Sequence, residues 1–92
     1  MDIIDWRKRI DEIDLELVHL LNERTRCAVQ IGKRRYQQGG ALHDPAREQE
    51  VLEQVQRSST GPLKPDAVQR LFECIMDEAR RAARLAATGS EE

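Results

Sequence analysis

From Trp6 onward, apolar side chains return in alternating three- and four-residue steps: Ile10, Ile13, Leu17 and Leu20, then Ala28 and Ile31. Arg24 and Arg35 occupy two places on that stripe where the pattern calls for a hydrophobe. At about 3.6 residues per turn these positions share one face, so the spacing predicts a long helix from about Asp5 to Gln38. Gly39-Gly40 ends it. A second helix opens at Asp44-Pro45, an acceptor cap followed by the residue best suited to the first helical position. It carries Val51, Leu52 and Val55, and Ser58-Ser59-Thr60-Gly61-Pro62 breaks it. A third opens near Pro65-Asp66, with Val68, Leu71, Phe72, Ile75, Met76, Ala79, Ala82, Ala83 and Ala86 as its stripe. Residues 1–87 therefore read as one helical domain, and 88–92 as a disordered polar tail.

Helix one spans about 50 Å at the usual rise per residue. A compact domain of 92 residues has a radius of gyration of only about 12 Å. Two short helices cannot fold back over so long a rod, and a second copy would cover the apolar stripe they leave open. The expected architecture is all-α, one long and two shorter helices in an entwined helical homodimer.

Composition agrees with a helical, coiled-coil-like chain: charged residues make up 35%, aromatics 3%, and there are five Gly and three Pro. A net charge of −2 draws the whole molecule to neither nucleic acid nor an acidic membrane. No run approaches the length of a membrane span, and Met1 leads straight into Asp2, so no signal peptide is expected. Cys27 and Cys74 fall on or beside apolar stripes without metal or disulfide spacing, which predicts small core residues in a reducing cytoplasm. His19 and His43 are expected to be solvated, without a chemical role.

The candidate chemistry lies in the arginines. Two guanidiniums on an inward face cost several kcal/mol unless an anion meets them. An internal carboxylate would satisfy one; two on a single seam point to an anion-binding site between helices. Asp44 and Glu48, at the start of helix two, are explained by capping and the helix dipole. Arg47 is not, because a cation in a first turn is mildly disfavoured; locally it would pair with Asp44 or Glu48. If the Gly39-Gly40 turn folds helix two back along helix one, Arg24, Arg35 and Arg47 converge. Arg7 lies about 100° round helix one from Arg24 and would reach a partner's pocket instead. Such a cavity suits a small, multiply carboxylated ligand bearing a hydroxyl, with arginine forks on the carboxylates and Glu48 accepting from the hydroxyl. The sequence offers no nucleophile with an adjacent base and no metal cluster, so neither a metal nor a cofactor is expected. An enzyme built this way works by holding and polarising its substrate.

Several segments together resemble the all-helical class of chorismate mutases, small three-helix proteins that form entwined dimers. They are Trp6-Arg7-Lys8-Arg9-Ile10-Asp11-Glu12-Ile13-Asp14, Leu20-Leu21-Asn22-Glu23-Arg24, Ile31-Gly32-Lys33, Asp44-Pro45-Ala46-Arg47-Glu48, and Arg70-Leu71-Phe72 with Ile75. The resemblance spans roughly Trp6 to Arg81. It implies that Arg7 enters the partner's site and that Arg24 and Arg47 grip the substrate's two carboxylates. By the same resemblance Arg35 stands where the family usually has a lysine that contacts the ether oxygen. Glu48 would bind the ring hydroxyl, with Asp44 beside it. The implied reaction is the rearrangement of chorismate to prephenate, in the cytoplasm, on the way to phenylalanine and tyrosine. The chain departs from the pattern on helix three. Ala79 and Ala83 align with a serine and a glutamine or glutamate that donate to the substrate, and neither alanine can do so. Arg80, Arg81 and Arg84 offer other donors nearby.

Two other functions remain open from the sequence. An isochorismate-pyruvate lyase would share the fold and the arginine pocket but would need an acid at Glu48 less. A non-catalytic module that binds a metabolite or another aromatic-pathway enzyme would explain the two alanines.

Overall fold

The computed structural model describes residues 1–89 as three helices: α1 (Ile3–Gln37), α2 (Pro45–Ser58) and α3 (Pro65–Thr88). α1 begins two residues earlier than its apolar periodicity suggests, because Asp2 and Asp5 form a reciprocal cap. The Asp5 N–H donates to Asp2 Oδ1 at 3.0 Å and the Asp2 N–H to Asp5 Oδ2 at 3.1 Å. Two of the first turn's open donors are thereby satisfied. At the other end Gly39 takes φ +75°, the left-handed conformation that lets the chain leave the helix. Asp44 caps α2 as expected, accepting from the Arg47 N–H at 3.2 Å. Thr88 is the last residue of α3 and Gly89 its cap; the rest of the polar tail expected from 88 lies outside the described residues.

α3 packs against both α1 and α2, whereas α1 and α2 do not pack on each other. The turn brings α2 back towards α1, as expected, so that Arg24, Arg35 and Arg47 line one cavity, although the two helices are not in direct contact. That cavity takes up the space where they would meet, and α3 joins them. The buried apolar side chains are Val68, Met76, Ala79 and Ala83, all on α3; on α1 only Gly32 is buried. A Cβ placed on Gly32 would come within 3.0 Å of the Ala83 Cβ, so glycine is what allows α1 and α3 to approach so closely there.

The molecule is elongated, 54 × 28 × 18 Å, with a radius of gyration of 16.1 Å. The N-terminal half of α1 projects beyond the other helices, and all of its residues from Ile3 to Glu23 are exposed. Among them Trp6, Ile10 and Leu17 are 56%, 54% and 49% exposed. The cysteines also differ from expectation: both thiols are free and exposed. No neighbouring helix covers either, and Cys27 lies on the rim of the cavity.

Candidate active site

A cavity of about 300 Å³ opens where the second half of α1, the 38–44 turn, α2 and α3 meet. That is the small end of the range for sites that hold small molecules, about 300–1,000 Å³. Its floor is apolar: Ala28, Ile31, Leu42, Val51, Met76 and the two alanines, Ala79 and Ala83. Its walls also carry Arg24 and Arg35 from α1, Asp44 from the turn, Arg47 and Glu48 from α2, and Arg80 from α3. Helical period explains the two from α1, because Arg24, Ala28, Ile31 and Arg35 share one face.

The charged groups are only partly spent on one another. Arg24 is half-buried, and among the described residues no carboxylate pairs with it. Arg35 Nη2 donates to Asp44 Oδ2 at 2.8 Å, while its Nη1 lies 3.4 Å from the Ala41 carbonyl oxygen. The Arg47 N–H first, and the Arg35 guanidinium second, hold the Asp44 carboxyl below its ordinary pKa. Both side chains of this pair remain about a third or more exposed, so the pair stabilises the fold little and leaves donors of Arg35 free. The Arg47 guanidinium pairs with neither Asp44 nor Glu48, its expected local partners. It turns outward to Glu50, 3.8 Å away. Glu48 instead faces Arg80, whose Nε is 3.2 Å from Glu48 Oε2, and His43, whose Nε2 is 3.5 Å from Oε1. His43 is exposed, as expected, and lies beside an acid of the site.

The cavity therefore gathers Arg24, Arg35, Asp44, Arg47, Glu48, Ala79 and Ala83. Arg7 stays outside, on the exposed half of α1. Of the three further helix-three donors that the sequence offers, Arg80, Arg81 and Arg84, it is Arg80 that lines the cavity. Its signal was available: it stands four residues after Met76 and three before Ala83, on the face α3 turns to the cavity. Four arginines and two carboxylates leave an excess of two positive charges on an apolar floor. That arrangement suits a small dicarboxylate and the stabilisation of developing negative charge. Among the described residues, no cluster of His, Cys, Asp and Glu could hold a metal ion.

A family model described as chorismate mutase type II matches residues 6–84. A bifunctional chorismate mutase/prephenate dehydratase of Neisseria gonorrhoeae is 42% identical over 76 residues, covering 83% of this chain and 20% of that protein. A protein of the same description from Pseudomonas aeruginosa is 37% identical over 75 residues, covering 76% of this chain and 20% of that protein. The chain thus spans about a fifth of the length of these curated relatives. Among solved structures, form II of a chorismate mutase from Thermus thermophilus superposes with a TM-score of 0.87 at 29% identity. That match covers 89% of this chain and 93% of the other.

Proposed function

The chain belongs to the type II chorismate mutase family, and on that premise we propose that it converts chorismate to prephenate by an intramolecular 3,3-sigmatropic rearrangement. The observation that carries this reading is the cavity itself, apolar in floor and two positive charges in excess in its walls. Chorismate has two carboxylates, a ring hydroxyl and an ether oxygen, and the cavity holds a matching group for each.

In the rearrangement the ether C–O bond breaks as a C–C bond forms within the same molecule. No proton is transferred and no bond to the protein is made, so a site without a nucleophile or a base suffices. Arg24 and Arg47 grip the carboxylates; Arg47 turns in from Glu50 to do so. They hold the side chain over the ring in the compact diaxial conformer, which supplies proximity and orientation. Arg35 points its free N–H groups at the ether oxygen, where negative charge grows in the transition state. Asp44 keeps Arg35 at that wall, and Glu48 accepts from the ring hydroxyl. Ala79 and Ala83 shape the apolar wall and exclude water.

The partner's Arg7 completes the site in this reading, in a homodimer. The chain exposes 7436 Å², against about 5,500 Å² for a compact monomer of its size. The excess lies along the apolar half of α1, the surface a second copy would cover. Among the described residues no helix is long and apolar enough to cross a membrane, and we place the reaction in the cytoplasm. A prephenate-consuming enzyme is the natural partner, since the curated relatives are described as bifunctional with a prephenate dehydratase.

The test is loss of chorismate absorbance with prephenate measured at the end. Arg24→Ala should lower kcat/KM by roughly 100- to 1000-fold, the usual cost of one charge-stabilising donor, with the thermal midpoint little changed. Mixing Arg7→Ala with Arg24→Ala chains should restore roughly a quarter of the activity, because a mixed dimer carries one intact site. The buried, non-donating Ala79 and Ala83 support one competing reading, a module that binds the dicarboxylate without turning it over. Chorismate binding without turnover would select that module. Salicylate plus pyruvate formed from isochorismate would select the lyase.

A further inference from the structure

α3 gives four side chains to the cavity wall: Met76, Ala79, Arg80 and Ala83. Of these four, only Arg80 carries hydrogen-bond donors. Its position is fixed from both sides. Nη2 donates to Asp77 Oδ1, three residues back on the same helix. Nε faces Glu48 Oε2 across the cavity at 3.2 Å, but off the line a hydrogen bond requires. That buried N–H therefore has no hydrogen-bond partner. A buried, unpaired donor is costly, and a bound acceptor that satisfies it gains what the empty site lacks. The side chain is 29% exposed, enclosed enough for its charge to be felt and open enough for a ligand to reach.

We propose that Arg80 is a substrate-contacting catalytic residue, the donor that α3 contributes to the rearrangement in place of the donors absent at Ala79 and Ala83. The inference rests on the mutase reading and deepens it by assigning the α3 wall. Arg35 polarises the substrate from α1. Arg80 does so from the opposite side, so the oxygens that gain negative charge lie between two guanidiniums. Glu48 has two tasks, accepting from the hydroxyl and keeping Arg80 turned into the cavity.

The experiment compares kcat and KM for the unaltered protein with those of Arg80→Ala, Arg80→Lys and Arg80→Ala combined with Ala83→Gln. Arg80→Ala should lower kcat by about 100-fold, as for loss of one donor to a developing oxyanion. Arg80→Lys should keep the charge and recover part of that loss. The amide introduced by Ala83→Gln, projecting from the same wall, should recover part of it too. Circular dichroism and thermal melts establish that each variant folds. A residue acting only by orienting Glu48 would behave differently: Arg80→Ala would then cost nothing further in a Glu48→Gln background. Persistence of the 100-fold loss in that background supports direct contact, and its disappearance overturns it. Turnover by the unaltered protein with Arg80→Ala within twofold would overturn the Arg80 assignment alone. No turnover by the unaltered protein would overturn the mutase reading and the assignment with it.

Discussion

The two halves of α1 carry one continuous apolar stripe and meet opposite fates. From Ile3 to Glu23 every residue is exposed. From Arg24 to Gln37 the same face lines a cavity, presses Gly32 against Ala83 and carries two arginines of the site. Local propensity does not separate them, since both are good amphipathic helix. What differs is the neighbour: α3 reaches the second half and stops short of the first. One stripe thus closes a site within the chain and, in the homodimer proposed above, offers a surface for a second chain.

The sharpest way to break the comparison is to place a charge in the open half. Ile13 is 38% exposed in the single chain, and a glutamate there would cost little if nothing covered it. Covered by a partner, the unpaired carboxylate would cost several kcal/mol. Ile13→Glu should therefore abolish the dimer in sedimentation equilibrium and remove turnover with it, while a monomer–dimer profile equal to that of the unaltered protein would sink the two-chain site.

The closed half is sharpened by Gly32→Ala. The added methyl would sit 3.0 Å from the Ala83 Cβ, tight enough that its neighbour must give by a few tenths of an ångström. Overpacking of this kind costs about 1–3 kcal/mol, offset by roughly 1 kcal/mol of improved helix propensity. A net loss of up to about 2 kcal/mol should appear as a lower denaturant midpoint with an unchanged slope. Adding Ala83→Gly should recover part of it.

The smallest effect concerns acid. Asp44 has a folded pKa below its unfolded value. Its stabilising contribution is complete above the ordinary aspartate pKa of about 3.9 and is lost as pH falls through the lowered value. Asp44→Asn keeps a good helix cap but removes the charge. The variant should lose stability mainly at neutral pH, so its stability–pH curve between neutrality and pH about 3 should be flatter than that of the unaltered protein.

Much of this was legible in the sequence, for identifiable reasons. Asp44-Pro45 and Gly39-Gly40 mark helix ends through chemistry local to those residues, and both ends fall where expected. The Asp2–Asp5 cap is equally local but uses an aspartate where the usual reciprocal cap has a glutamate. The face on which Arg24 and Arg35 lie follows from period alone. Which acid meets which arginine does not. Arg35 with Asp44, and Arg80 with Glu48, join residues on different elements, and their pairing depends on how α3 seats between the other two helices. That α1 and α2 meet across a cavity, each packed on α3 rather than on the other, likewise depends on packing between elements. A turn sets where a chain can go, and packing decides which helix it finds.

The cavity's charge balance bears on flux as well as on rate. Chorismate and prephenate are isomers with the same two carboxylates, so a pocket that recognises its occupant largely by two excess positive charges recognises both. The chemical step gives the protein no change of charge with which to expel its product. On the proposed mutase reading, product inhibition is the expected consequence of the lining, and throughput would depend on how quickly prephenate is removed. Joining the two activities in one polypeptide, as in the bifunctional relatives, answers that weakness by keeping the product's consumer at hand.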